Sequence, residues 1–366
     1  MDTSDPDITF DERGFCNHCT SYEANARSQP GLAEPSLRAE HLARAVDRMK
    51  RDGKGRRYDC VIGLSGGVDS SYVALKVVEL GLRPLAVHLD NGWNSETAVG
   101  NIERAVRGLG IDLYTVVLDW EEFRDLQLAF LRAGTPDYEV PSDHAIFASV
   151  FKAAWRFRVP WLVMGNNVAS ELVLPTAWAQ GHFDWPYLRS VHAQFGRRPL
   201  RTFPHLSTPE YFRFRRWAVR HVLNILNYLD YDRAQAIGEL ERAIGWRNYG
   251  GKHYESIYTR FVQGYLLPEK FGYDKRRCHL ASLVLAGMKT REEALELLRR
   301  PTYESQDLLE QDRIFVMKKL GLTEAAFDAI LKTPPRTGKD FKGMLDSPAY
   351  RGARAVYRTG RSVLGI

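Results

Sequence analysis

The apolar run from Tyr58 to Leu64 breaks off into Ser65-Gly66-Gly67-Val68-Asp69-Ser70-Ser71, after which apolar residues recur at helical spacing. A strand passing into a helix through two glycines and four polar side chains in seven positions leaves few folds open. The glycines let backbone N–H groups close around an anion, the helix start adds partial positive charge, and Ser65, Ser70 and Ser71 offer hydroxyl donors. The alternative is a tight turn in which Asp69 or Ser70 caps the helix. A cap needs only one polar residue, so the loop is read as a cradle for a polyoxygen anion such as a nucleotide triphosphate. It is neither a Walker loop, which needs Gly-Lys-Ser/Thr, nor a Gly-x-Gly-x-x-Gly dinucleotide loop.

Strand and helix signals alternate around this loop. Strands are expected at Tyr58 to Leu64, Pro84 to Leu89, Leu113 to Leu118 and Trp161 to Gly165. Helices are expected at Ser70 to Leu80, Glu96 to Leu109, Glu121 to Arg132 and Asp143 to Phe157. Such alternation implies parallel pairing through right-handed crossovers, hence an α/β fold with an open parallel sheet and helices on both faces. Ligands in such sheets sit at the carboxyl ends of the strands, where Gly63 to Ser70, Asp90 to Gly92 and Gly165 to Glu171 fall. Past about residue 205 only helical spacing is seen, including YFRFRRWAVRHVLNILNYLDYD. Four parts are expected: an N-terminal Cys-x-x-Cys element with a charged helix (1–55), the α/β domain (56–204), a C-terminal helical domain (205–335) and a basic tail (336–366).

Composition closes off several function classes. No run approaches the ~20 apolar residues of a membrane span, and the acidic start lacks the basic-then-apolar pattern of a signal peptide, so a cytoplasmic chain is expected. Net charge is +6, but seven basic residues against Asp340 and Asp346 place +5 of it in the 336–366 tail. The nearly neutral body argues against a broad nucleic-acid surface. Four cysteines in 366 residues are too few for a disulfide scaffold.

The loop Ser65-Gly66-Gly67-Val68-Asp69-Ser70 resembles the S-G-G-x-D-S signature of the PP-loop ATP-pyrophosphatases, which have the adenine nucleotide alpha hydrolase-like fold and split ATP into AMP and pyrophosphate. GNNVASE, Gly165 to Glu171, is similar to the motif with which NAD synthetases and their relatives place a Mg²⁺-binding carboxylate. The resemblance implies that Ser65, Gly66, Gly67, Ser70, Ser71 and Gly165 bind ATP, and that Asp69 and Glu171 hold Mg²⁺. Asp90 is either an adenosine neighbour, as the resemblance implies, or a turn residue of Asp-Asn-Gly.

Three further stretches, GTPDYEVPSDHAIFASVFKAA, NYGGKHYESIYTRFVQGYLLPEKFGYDKRR and LASLVLAGMKTREEALELL, together resemble the N-acetyl sugar amidotransferases of bacterial surface-polysaccharide biosynthesis, including that of the lipopolysaccharide O-antigen. The resemblance spans about Gly14 to Leu331 and implies conversion of an acetamido group to an acetamidino group, on a sugar either free or nucleotide-linked. It also implies a separate glutaminase subunit, with a barrel protein as ammonia conduit. The chemistry is coherent: an amide carbonyl is a poor electrophile, adenylation turns its oxygen into a leaving group, and ammonia then displaces AMP. His144, Lys252, His253 and Glu255 are the candidates for moving protons in the second step. His144 equally suits a structural place in a first helical turn, and Gly250 to Ser256 equally suits a helix start.

Cys16 and Cys19 supply half of a tetrahedral zinc site, for which Cys278, His18 or His253 could add ligands; two thiols without metal are the alternative. Cys60, inside the first strand, reads as an inert core thiol. The arginine run FRFRRWAVR reads as a solvated helix face, with recognition of a sugar diphosphate as the alternative. A PP-loop tRNA thiolase is the rival enzyme, although the scattered cysteines and neutral body speak against it. A nucleotide-binding module without catalysis would not need both Asp69 and Glu171.

Overall fold

The computed structural model describes residues 1–28, 34–179, 181–251, 253–348 and 350–351, with side chains 25–28 left aside. In chain order, α1 (Asn17–Ser28) and α2 (Pro35–Asp52) precede β1 (Cys60–Gly63), α3 (Val68–Glu79), β2 (Pro84–Asp90), α4 (Glu96–Leu109) and β3 (Asp112–Val117). There follow α5 (Trp120–Ala133), α6 (Val140–Phe157), β4 (Trp161–Met164), the single turn α7 (Val168–Glu171), α8 (Trp185–Phe195), α9 (Thr208–Trp217) and β5 (His221–Asn224). The remainder is helical: α10 (Arg233–Ile244), α11 (Ile257–Phe261), α12 (Leu267–Phe271), α13 (Arg276–Leu285), α14 (Arg291–Arg299), α15 (Gln306–Leu320) and α16 (Glu324–Lys332).

The five strands form one parallel sheet in the order β3-β2-β1-β4-β5. Alternate side chains of β1, β2 and β4 enter two different cores. Cys60, Ile62, Ala86, Trp161 and Val163 face α2, α3, α4 and α10, whereas Val61, Leu85, Val87 and Leu162 face α6 and α9. The sheet is thus covered on both sides, as the alternation predicts. A third core joins α5 and α8 to the C-terminal helices through Phe123, Phe130, Tyr187, Phe261 and Phe327.

One expectation is overturned. The segment after residue 205 is not all helix: α9 ends at Trp217, and His221–Asn224 adds an edge strand paired in parallel with β4. This strand is four residues long and buries only Leu223 fully, so it has no periodic pattern to set it apart from the flanking helices.

The strand order reverses beside β1. From β1 the chain first builds outward through β2 and β3, then returns to place β4 and β5 on its other side. The loops after β1 and β4 therefore meet at the switch point of the sheet, where a crevice opens at the strand ends.

Candidate functional site

The loop after β1 is shaped by its own side chains. Ser70 Oγ accepts from the Ser65 N–H at 3.2 Å and lies 3.1 Å from Ser65 Oγ, while Ser65 Oγ accepts from the Gly67 N–H at 3.2 Å. Gly67 is the helix N-cap and has no side chain to cap with, so Asp69 and Ser70 lie in the first turn of α3 and neither serves as the cap. Gly66 has φ 81°, and a Cβ there would stand 2.3 Å from the Ala98 carbonyl oxygen. Only glycine fits that position. His88 braces the loop from below: its Nδ1 donates to the Leu64 carbonyl at 2.9 Å, and its Nε2 lies 3.2 Å from the Asn94 amide.

The cavity in front of this loop gathers residues from four regions. Ser65, Gly67, Asp69 and Ser70 form one side, and Gly165, Asn166 and Glu171 come from the turn after β4. A Cβ on Gly165 would stand 3.4 Å from the Asp69 Cβ, about van der Waals contact, so the two loops lie side by side here. Ile146, Phe147 and Val150 of α6, with Leu162 and Met164 of β4, make an apolar wall suited to a flat heterocycle. Arg233, Tyr249, His253 and Glu255 complete the cavity from the C-terminal half. Residues 253–257 reach it because they run antiparallel to the loop after β2, with Ser95 N–H donating to the Glu255 carbonyl at 2.8 Å and Ile257 N–H to the Trp93 carbonyl at 2.9 Å.

Asp69, Glu171 and Glu255 line the cavity and, among the described residues, share it with Arg233 and His253. Burial raises the Glu255 carboxyl, but hydrogen bonding and charge from His253 more than offset this and hold it below the usual carboxylate range. Its Oε2 is buried and, among the described residues, has no hydrogen-bond partner. The Tyr231 hydroxyl donates to Asp69; burial and then the Asp69 charge push that phenol well above its ordinary value, which keeps its proton in place. Mg²⁺ characteristically takes one or two carboxylates plus substrate phosphates, and the loop carboxylates are of that kind. Asp69 and Glu171 fit that role.

The other sequence candidates are distributed as follows. Ser71 turns inward, fully buried, with no partner for its hydroxyl among the described residues, so it does not face the cavity. Asp90 lines a neighbouring cavity with His88, Asn94 and Arg107, and its carboxylate accepts from the Gly92 N–H at 2.9 Å, as a turn residue does. Lys252 lies outside the described residues. The arginines of α9 stand near the amino-terminal ends of the strands, away from the crevice.

His144 is corrected from proton carrier to structural residue. It is 1 % exposed, its Nδ1 donates to the His182 carbonyl at 2.7 Å, and its Nε2 accepts from the Leu206 N–H at 3.1 Å. Both nitrogens are committed, and burial depresses its pKa to about 4. The folded protein therefore binds fewer protons here than the unfolded chain between about pH 4 and 6.5, so this contribution to stability is complete above 6.5 and is lost as pH falls through that window. The loss is expected to reach roughly 3 kcal/mol. Urea unfolding at several pH values checks it: His144→Phe should be less stable at neutral pH yet show a flatter decline on acidification.

The zinc expectation is not supported. Cys16 and Cys19 have their sulfurs 3.4 Å apart, but among the described residues no third histidine, cysteine or carboxylate joins them in a metal-binding group. His18 Nε2 is bonded to Asp5 at 2.6 Å, and Cys278 is buried in α13 with its thiol pushed up to about 12 by burial.

Tyr231, Arg233 and Tyr249 were not legible as site residues. Tyr249, whose hydroxyl accepts from the Val68 N–H at 3.1 Å, reaches the loop across 181 positions of sequence, a distance that no local pattern bridges. Beyond the apolar wall, Asp143 lies one turn before Ile146 on the same stripe of α6, close in charge to Glu139, Asp137 and Lys275. Burial, then the Glu139 and Asp137 charges, raise its carboxyl well above the usual range. Glu139 is itself fixed by Gln263 Nε2 at 2.8 Å and by Lys275 Nζ at 3.6 Å.

Comparison with known proteins adds a likeness over the C-terminal part of the chain. Residues 255–351 match the model described as "LPS biosynthesis protein WbpG-like, C-terminal domain". No curated protein matches the chain. Among solved structures, the NMN synthetase from Francisella tularensis is similar over 80% of this chain and 98% of that one, at 14% identity and a TM-score of 0.39. A "predicted subunit of tRNA methyltransferase" from Methanocaldococcus jannaschii DSM is similar over 50% and 75%, at 16% identity and 0.28. Likenesses this weak say nothing about activity. Among the described residues, no helix is long and apolar enough to cross a membrane. The segment that begins at Glu255, in the cavity wall itself, and runs to Arg351 is similar to the C-terminal domain described for WbpG-like LPS biosynthesis proteins.

Proposed function

We propose that the chain is a cytoplasmic ATP-dependent amidotransferase that acts on an N-acetylated sugar, free or nucleotide-linked, in the biosynthesis of lipopolysaccharide O-antigen or a related surface glycan. The acetamido oxygen attacks the α-phosphorus of ATP and pyrophosphate leaves; ammonia adds to the resulting imidate carbon, AMP departs, and an acetamidino sugar remains. The observation that supports this reading is the meeting, in one cavity, of the Ser65–Ser70 loop with His253 and Glu255, the latter being the first residue of the WbpG-like segment.

Each group in the cavity has a task in that sequence. The N–H groups at the start of α3 and the Ser65 and Ser70 hydroxyls stabilise the departing pyrophosphate. A Mg²⁺ held by Asp69 and Glu171 would offset phosphate charge. Tyr231 keeps Asp69 aimed into the cavity, and the apolar wall of Ile146, Phe147 and Val150 takes the adenine. His253, whose Nδ1 lies 3.9 Å from Glu255 Oε1, would accept the proton that ammonia loses after it adds. Nitrogen would come from a separate glutaminase subunit, with a barrel protein as ammonia conduit.

Incubation with ATP, Mg²⁺, ammonium and a panel of N-acetyl sugars and tRNA tests the reading. AMP release together with the small mass loss of replacing O by NH in one sugar is expected. AMP formation driven by tRNA and by none of the sugars would overturn it.

A further inference from the structure

The face opposite the cavity has its own chemistry. Arg56 precedes β1, Pro160 precedes β4 and Arg220 precedes β5, so a shallow cavity lined by these residues with Arg158, Trp155 and Trp217 lies at the amino-terminal ends of the strands. Arg56 donates to the Arg158 carbonyl, which ties two of its edges together. No carboxylate lines it among the described residues. Arg213 and Arg216 of α9 flank it, and none of these five arginines forms an ion pair among the described residues. Basic residues at the ends of α6 and α9 complement the helix dipoles, but that does not explain tryptophans exposed to 45 % (Trp155) and 66 % (Trp217).

We propose that this arginine–tryptophan surface docks the protein on an anionic phospholipid bilayer. Indole rings with a polar edge and an apolar body settle at the level of lipid headgroups, and guanidinium groups beside them bind lipid phosphates in forked pairs. Nucleic acid is the other polyanion with such chemistry, but single strands bind by stacking bases on open aromatic faces. Here guanidinium groups already stand over the rings, Arg213 at 5.6 Å from the Trp155 centroid and Arg216 at 4.6 Å from that of Trp217.

The start of the basic tail packs against α9, the helix that carries Arg213 and Arg216. Phe212, 39 % exposed, packs beside Tyr350 with ring centroids 6.2 Å apart. The sequence then continues with Arg351, Arg354, Arg358 and Arg361, interleaved with Val356, Val363, Leu364 and Ile366, a composition suited to a lipid interface. Docking through this side leaves the nucleotide cavity facing solvent, and it holds whether or not the proposed reaction is correct.

Co-sedimentation of the full chain with vesicles tests the proposal. Binding is expected to vesicles that combine phosphatidylcholine with phosphatidylglycerol, to be absent for phosphatidylcholine alone, and to weaken as salt is raised. Arg213→Gln with Arg216→Gln and Arg220→Gln should weaken it about tenfold or more, and Trp217→Ala several-fold, with unfolding midpoints close to that of the parent because these side chains are exposed. No binding to anionic vesicles at low salt, or equal binding by these variants, would overturn the proposal. So would a preference for a single-stranded RNA oligonucleotide over the vesicles that the same substitutions abolish.

Discussion

Asp69→Asn is expected to lower AMP formation by about 10³-fold, equivalent to roughly 4 kcal/mol of lost transition-state stabilisation, while leaving the fold intact. The side chain lies at the cavity rather than in a core, so its removal opens no void. Loss of the bond from Tyr231 costs at most about 1–3 kcal/mol of stability. Activity should fall far more, because in the proposed reaction a neutral amide would weaken the seat that Asp69 and Glu171 offer Mg²⁺. Tyr231→Phe should show a milder version, about tenfold, since the carboxylate survives but loses its fixed orientation. Ser70→Ala should also fall about tenfold or more, because the hydroxyl that shapes the Ser65 turn is gone. AMP assays beside urea unfolding separate these outcomes, and full AMP formation by Asp69→Asn would sink the assignment of the loop.

The two predictions differ in how directly the sequence supports them, and the reason is physical. Strands β1, β2 and β4 were legible because a strand covered on both faces is a continuous apolar run. Helix α4 was legible to the residue, since Ser95 caps its start, accepting from the Ala98 N–H at 3.2 Å, and Gly110 ends it in the left-handed conformation. The loop after β1 announced itself because glycines and hydroxyls in that density have few other uses. Strand β5 was hidden by brevity, and Tyr231 and Tyr249 by the chain length separating them from the loop they serve. His144 shows a different limit. A histidine in a first helical turn looks the same in sequence whether it moves protons or, as here, ties His182 to Leu206 across a stack with Trp185 and Phe203. The Cys-x-x-Cys pair likewise carries no sign of whether further ligands arrive.

The isolated chain is expected to form the acetamidino sugar with ammonium salts but not with glutamine. Hydrolysis of glutamine needs an accessible cysteine whose thiol ionises easily beside a histidine. Cys60 is fully buried in β1, where burial pushes its thiol far up, and Cys278 is 3 % exposed with its thiol pushed up to about 12. Cys19, half-buried, is also raised by burial and by its bond with the buried Cys16. None of these thiols has the electropositive, open setting that makes a thiolate at neutral pH. Ammonia must then reach the imidate from elsewhere, and adding a separate glutaminase of the Cys-His type should confer glutamine-dependent turnover, with ammonium-driven turnover unchanged. The readout is AMP and amidine formed from glutamine with and without the second protein, alongside Cys19→Ser, which should leave the ammonium reaction within about twofold of the parent because that side chain lines no part of the cavity. Sustained glutamine-driven turnover by the single chain would contradict this assignment and would require one of the buried thiols to open to solvent during the reaction.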